Sequence, residues 1–203
     1  MKPELHRFGH SRQPVVTIDG ITGDPGAAVA IAAAIAPFPV SRTYYPGLRR
    51  IVTEADAPAY AYVCSLLEAA ASFIGGGFDA DSFTLVEASF SIVTTAPEAL
   101  QPAQRAPHFD SADSRDIALI HYLADTPGTG TAFYRQRSTG IELVDEANRD
   151  AFVAAARAEG AGLVGYTSNS NAHFDQIGRI DAAPDRLVIY RGAMLHSGII
   201  PDT

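Results

Sequence analysis

Cysteine is nearly missing from this chain: Cys64 is the only one in 203 residues. That excludes an intramolecular disulfide and any cysteine-rich zinc site. Cys64 lies among the apolar residues of an expected helix and reads as a buried, inert thiol. Positive charge is also scarce, with 15 Lys and Arg against 23 Asp and Glu and a net charge of -8. The basic residues are scattered, Arg49 and Arg50 being the only adjacent pair. Nucleic-acid affinity rests on clustered cations that neutralise phosphates, so no nucleic-acid partner is expected. The polar start, "MKPELHRFGHSRQP", has no secretory signal, and the first apolar run, "AAVAIAAAIA", is only ten residues. A bilayer span needs about 20, so the expectation is a cytoplasmic protein with no membrane partner.

What remains is the composition of an ordinary globular domain, 47% hydrophobic and 19% charged, of a length that suits one core. "PVVTIDG" (14–20) reads as a strand. Asp24 and Pro25 open an alanine-rich helix that Pro37 closes. A second helix is expected over 57–74, ended by the glycines at 75–77. β-Branched and aromatic segments then dominate: 82–94, 116–124, 130–136, 176–180 and 186–191. One helix interrupts them at about 145–159, with Asp145 as N-cap and Gly160 just past its end. The residue pattern fits α+β or a mainly β fold with packing helices, and the second is the fold class we expect. Residues 1–80 form a helical N-terminal support and 81–203 a sheet-rich body.

The tripeptide His-Phe-Asp occurs twice, at 108–110 and 173–175. Chance alone yields roughly one His-x-acid match in a chain of this composition. The physics is sound all the same. In extended backbone, residues i and i+2 share a face, so an imidazole and a carboxylate can converge on one ion while the Phe packs behind them. A further His completes a 2-His-1-carboxylate triad, whose open positions suit non-haem Fe(II). His196 follows an apolar strand and a Gly turn, a setting where functional groups concentrate. From Asp110 to His196 there are 86 residues, room for several strands and a helix; from Asp175 there are only 21. The spacing therefore favours His108, Asp110 and His196 as metal ligands. His121 reads instead as a partly buried strand histidine.

The stretch "PHFDSADSRDIALIHYLADTPGTGTAFYR" with "DRLVIYRGAMLHSG" resembles the 2-oxoglutarate/Fe(II)-dependent oxygenase superfamily, closest in style to its prolyl-4-hydroxylase-like branch. The matching positions are His108 and Asp110, Arg115, Tyr122-Leu123, the 130–133 segment and His196. The likeness is loose over 14–37 and closer over 82–200, and it extends to an uncharacterised bacterial family within the superfamily. The resemblance implies a double-stranded β-helix (a jelly-roll, cupin-like core) holding Fe(II) on His108, Asp110 and His196. It implies 2-oxoglutarate as co-substrate, O₂ as oxidant, and hydroxylation of a small molecule or peptide, with Asp110 favouring hydroxylation over halogenation.

The sequence departs from that pattern at one place. The superfamily commonly binds the far carboxylate of 2-oxoglutarate through an Arg or Lys about ten residues after the distal His, as a charge-assisted contact. This chain ends at Thr203. Either the closing strand of the jelly roll is missing from the sequence, which we favour, or another basic residue serves. Arg135 and Arg137 are the candidates for the second case, with Tyr122 as a hydrogen-bonding partner by analogy; their plainer role is as solvated strand charges. A cupin-type metal enzyme without 2-oxoglutarate, and a non-catalytic binding protein on the same scaffold, are the competing readings. Tyr134, Arg115, "SNSN" (168–171) and "YYPGLRR" (44–50) are weaker pocket candidates.

Overall fold

β-Branched and aromatic segments pair into three antiparallel sheets in the computed structural model, which describes residues 1–201. Nine strands lie among the described residues: β1 (Lys2–Phe8), β2 (Gln13–Asp19), β3 (Gly47–Ile51), β4 (Ser89–Val93), β5 (Ile117–Tyr122), β6 (Gly130–Gln136), β7 (Phe174–Asp181), β8 (Arg186–Arg191) and β9 (His196–Ile199). The first sheet runs β1-β2-β8-β5, the second β3-β4 and the third β7-β6-β9. Helices α1 (Pro25–Ala34), α2 (Ala57–Phe78), a four-residue α3 (Pro102–Arg105) and α4 (Arg149–Gly160) complete the fold. It is mainly β with packing helices, one of the two arrangements that the residue pattern allows.

The period-2 alternation of the strands sorts their side chains into separate cores. In the first sheet, Val16, Ile18, Leu187 and Ile189 face α2 and meet its stripe of Ala70, Ile74 and Phe78. The opposite face carries Val15, Val188, Tyr190, Ala118, Ile120 and Tyr122, which pack against Phe133 and Ile180 of the third sheet. The third sheet turns its other face, with Ala132, Tyr134 and Phe174, to Phe152 of α4. The candidate ligand His196 sits beside Tyr190 and Phe133 of this inter-sheet space.

Several expectations need correction. Residues 1–80 are not a purely helical support, because β1 and β2 form half of the four-stranded sheet. β1 escapes notice because it is exposed along most of its length; its partner β2 supplies the order that its own sequence does not. Helix α2 runs through Gly75–Gly77 to Phe78 and ends on Asp79 in the left-handed conformation. Its glycines stay helical because buried Ile74 and Phe78 flank them, and a Cβ on Gly77 would lie 3.0 Å from Val16. α2 is also long and apolar enough to cross a membrane by length and composition; here its stripe packs on the sheet. The 82–94 segment is a strand only over Ser89–Val93. The last helix starts at Arg149 with Asn148 as N-cap, while Asp145 accepts hydrogen bonds from the amides of Ala147 and Asn148. Gly160 lies inside that helix.

Candidate metal centre

Three segments bring the centre together. The backbones of His108 and His196 form an antiparallel bridge, each amide donating to the other's carbonyl at 2.9 and 2.8 Å. His196 is also opposite Phe133 in the β6–β9 ladder. Two residues on from His108, the Asp110 amide donates to the Gly192 carbonyl at 2.8 Å, just past the end of β8. The extended alternation through Phe109 then acts as expected. Phe109 packs edge-on against Phe152 with ring centroids 5.7 Å apart, while His108 and Asp110 turn to the opposite side. There, one ligand atom from each of His108, Asp110 and His196 lies within 4.8 Å of the others.

The details suit a cation. His108 Nε2 is 3.9 Å from Asp110 Oδ1, and His196 Nε2 is 3.6 Å from Asp110 Oδ2. Donors bound to one ion at about 2.1 Å lie roughly 3 Å apart, so small rotations would close the set. His196 Nδ1 sits 2.8 Å from the Met194 carbonyl. A carbonyl can only accept, so Nδ1 carries a proton and Nε2 is the ring nitrogen that faces Asp110. Such an outer hydrogen bond fixes both the tautomer and the ring orientation of a metal-binding histidine. The His196 side chain is buried, 6% exposed, whereas those of His108 and Asp110 are 56% and 49% exposed. The site is thus anchored on one side and open on the other.

The electrostatics follow from the same packing. The protein crowding around His108, then the facing His196 imidazole, push it down to about 4, with Asp110 opposing. A ring with so much open area keeps part of its hydration. The opposition of two imidazoles with centroids 4.4 Å apart is the cause that the geometry carries. His108 therefore offers a neutral, ligating nitrogen.

The structure does not bring the candidate co-substrate arginines to this centre. Arg135 reaches Asp175 at 2.8 Å and His10 at 3.0 Å, with Glu142 3.6 Å away. Arg137 pairs with Asp175 at 2.6 Å and donates to the Asn171 carbonyl at 3.0 Å. Both are engaged by the aspartate of the second His-Phe-Asp copy. Tyr122 lies on the inter-sheet face, opposite Arg186 in the ladder, with its hydroxyl 2.6 Å from Thr131 Oγ1. Burial pushes its phenol up to about 12, with the Thr131 contact opposing. No arginine or lysine among the described residues forms an ion pair or hydrogen bond with the triad.

A model for a family of unknown function, DUF6445, matches residues 1–203. The chain belongs to the DUF6445 family. No curated protein and no solved structure matches it.

The remaining candidates in this DUF6445 chain fall elsewhere. Tyr134 is fully buried on the α4 side of its sheet, donating to the Thr167 carbonyl at 2.9 Å. Arg115 is exposed and caps its own turn through Asp113. His121 joins Tyr62 and Asp185 in a hydrogen-bonded row on the face that looks toward α2. Residues 168–171 help line a groove of about 640 Å³. In "YYPGLRR", Arg49 and Arg50 pair with Glu87 and Asp56. Sequence reading overlooked Tyr190, whose ring meets His196 edge-on at 4.9 Å between centroids. Its signal is the alternation of "RLVIYR", which places Tyr190 on the same face as Val188 and leads directly to the distal histidine.

Proposed function

We propose that this protein is a non-haem Fe(II) oxygenase that uses 2-oxoglutarate and O₂ to hydroxylate a small molecule or peptide. One observation carries the reading: two imidazoles and one carboxylate converge within 4.8 Å, His108 and Asp110 from one segment and His196 from a strand distant in sequence. That donor set leaves open positions on an iron and suits non-haem Fe(II). The two facing sheets, β1-β2-β8-β5 and β7-β6-β9, fit a jelly-roll core with the metal at the mouth between them.

With Fe(II) bound, 2-oxoglutarate and O₂ would supply a two-electron oxidation of a C–H bond, the oxo acid leaving as succinate and CO₂. The chain's own contributions are positional. His196 is locked by the Met194 carbonyl, and Asp110 is tethered through its amide to Gly192. The exposed sides of His108 and Asp110 leave the approach open to a substrate. Anaerobic Fe(II) titration with and without 2-oxoglutarate, followed by succinate release in air, tests the reading. Iron bound with unchanged affinity after His108→Ala, Asp110→Ala and His196→Ala would refute the centre.

A second reading is favoured by the engagement of Arg135 and Arg137 with Asp175. A cupin-type enzyme that needs no 2-oxoglutarate would require no free cation near its metal. Iron binding without any spectral response to, or consumption of, 2-oxoglutarate would select it.

A further inference from the structure

The face of the first sheet that looks into the inter-sheet space has a polar lining at three levels. At the far end, Asp19, Arg186 and Tyr122 lie side by side across β2, β8 and β5. Arg186 is held there by both carboxylate oxygens of Asp19, at 2.5 and 2.8 Å, and by the Asp181 carbonyl at 2.8 Å. Midway, Thr17 pairs with His6 and the Tyr122 hydroxyl with Thr131. At the metal end stands Tyr190, four residues beyond Arg186 on the same strand.

Tyr190 differs from its neighbours. It is 2% exposed, and Phe133 and His196 pack edge-on against its ring. Its hydroxyl nevertheless has no hydrogen-bond partner among the described residues. Among the described residues, every side-chain polar atom sealed from solvent does have one. A buried phenol without a protein partner must therefore border a space that admits water, where its hydroxyl is free to bond water or a ligand. A tyrosine hydroxyl is ordinarily neutral up to about pH 10 and can donate a hydrogen bond. The arginines that could attract an anion into this space are already neutralised by aspartates.

We propose that the Tyr190 hydroxyl donates a hydrogen bond to a carboxylate oxygen of a small oxo acid that chelates the metal on His108, Asp110 and His196. It is a positioning residue: it holds the ligand's orientation beside the metal and favours acids over neutral chelators of the same size. The inference rests on the metal reading above.

The test uses Tyr190→Phe, which keeps the ring packed against Phe133 and His196 and removes only the hydroxyl. Because no protein group loses a partner, its melting temperature should match that of the wild type. Calorimetry under anaerobic conditions measures Fe(II) affinity, then the affinity of the Fe(II)-loaded protein for 2-oxoglutarate and for oxalate. The expected result is unchanged Fe(II) affinity and at least tenfold weaker binding of both acids, about 1.4 kcal/mol. Equal acid affinity in the variant and the wild type would overturn the assignment and leave the metal centre standing. A wild-type protein that binds Fe(II) but neither acid would overturn it together with the co-substrate reading. A wild-type protein that binds no metal would overturn both proposals.

Discussion

The two His-Phe-Asp segments share three residues and nothing of their surroundings. In each, the Phe enters the same apolar cluster around α4: Phe174 is fully buried there and Phe109 partly so. The flanking His and Asp of each copy are left to other neighbours. What they meet then decides their role. His108 and Asp110 meet His196 across a backbone bridge. Asp175 meets Arg135 and Arg137, and the His173 backbone accepts a hydrogen bond from the Arg137 amide. A local motif can aim two potential ligands, but groups supplied by the fold decide whether they form a candidate metal site or a charge clamp.

The largest expected effect separates the copies by metal affinity. His196→Ala should weaken Fe(II) or Co(II) binding on the order of 100-fold or more, at least the scale set by losing an outer-shell partner. His173→Ala should leave it unchanged, and calorimetric titration of both variants reads the difference. If instead His173→Ala abolished binding, the assignment of the two copies would be reversed.

The next effect concerns what the copies share. Phe174→Ala should cost about 3–5 kcal/mol in urea unfolding, as expected for a large buried aromatic. Phe109→Ala, whose ring is only partly buried, should cost less. An equal loss would show that the two rings are equally committed to the core.

A third histidine supplies a pH-dependent control. Burial lowers the His121 pKa, with Asp185 opposing. The folded state thus favours the neutral ring, and the unfolded chain takes up a proton first as pH falls. His121 should add stability above about pH 6.5 that fades as pH drops through its unfolded value toward its folded one. Urea midpoints between pH 8 and pH 5 should decline, and His121→Gln should flatten the decline. The metal site is not needed for this effect, so chelator should leave it in place.

The smallest effect belongs to the clamp. Arg135, before Asp175 burial is counted, holds the Asp175 carboxyl below its ordinary range, with Arg137 adding to it. Asp175→Asn should lower the melting temperature by about 2 °C at low salt and less at high salt. Fe(II) affinity should not change; a large loss would join the clamp to the centre after all.

Much of the local order was readable from residue types. Strands β6 and β8 lie where their β-branched and aromatic runs place them, and Asp24 caps α1 as its side chain predicts, accepting from the Ala27 amide at 3.0 Å. The choice of His108, Asp110 and His196 also follows from motif and spacing, because alternation and chain length are local and countable properties. The partners of Arg135 and Arg137 were not readable: both look like free strand charges until β7 lies beside β6 and presents Asp175. Strand β1 was hidden for the same kind of reason, since its pairing energy resides in β2. The helical glycines of α2 depend on a sheet face far away in sequence. Tyr190 looked like one more strand aromatic until the two sheets closed around it and left its hydroxyl without a partner among the described residues. Periodicity and chemistry of the side chains thus decide which elements form and which groups could bind a metal. Only the packing of distant segments decides which of those groups meet, because ion pairs, ligand sets and unpaired donors are properties of neighbours in space.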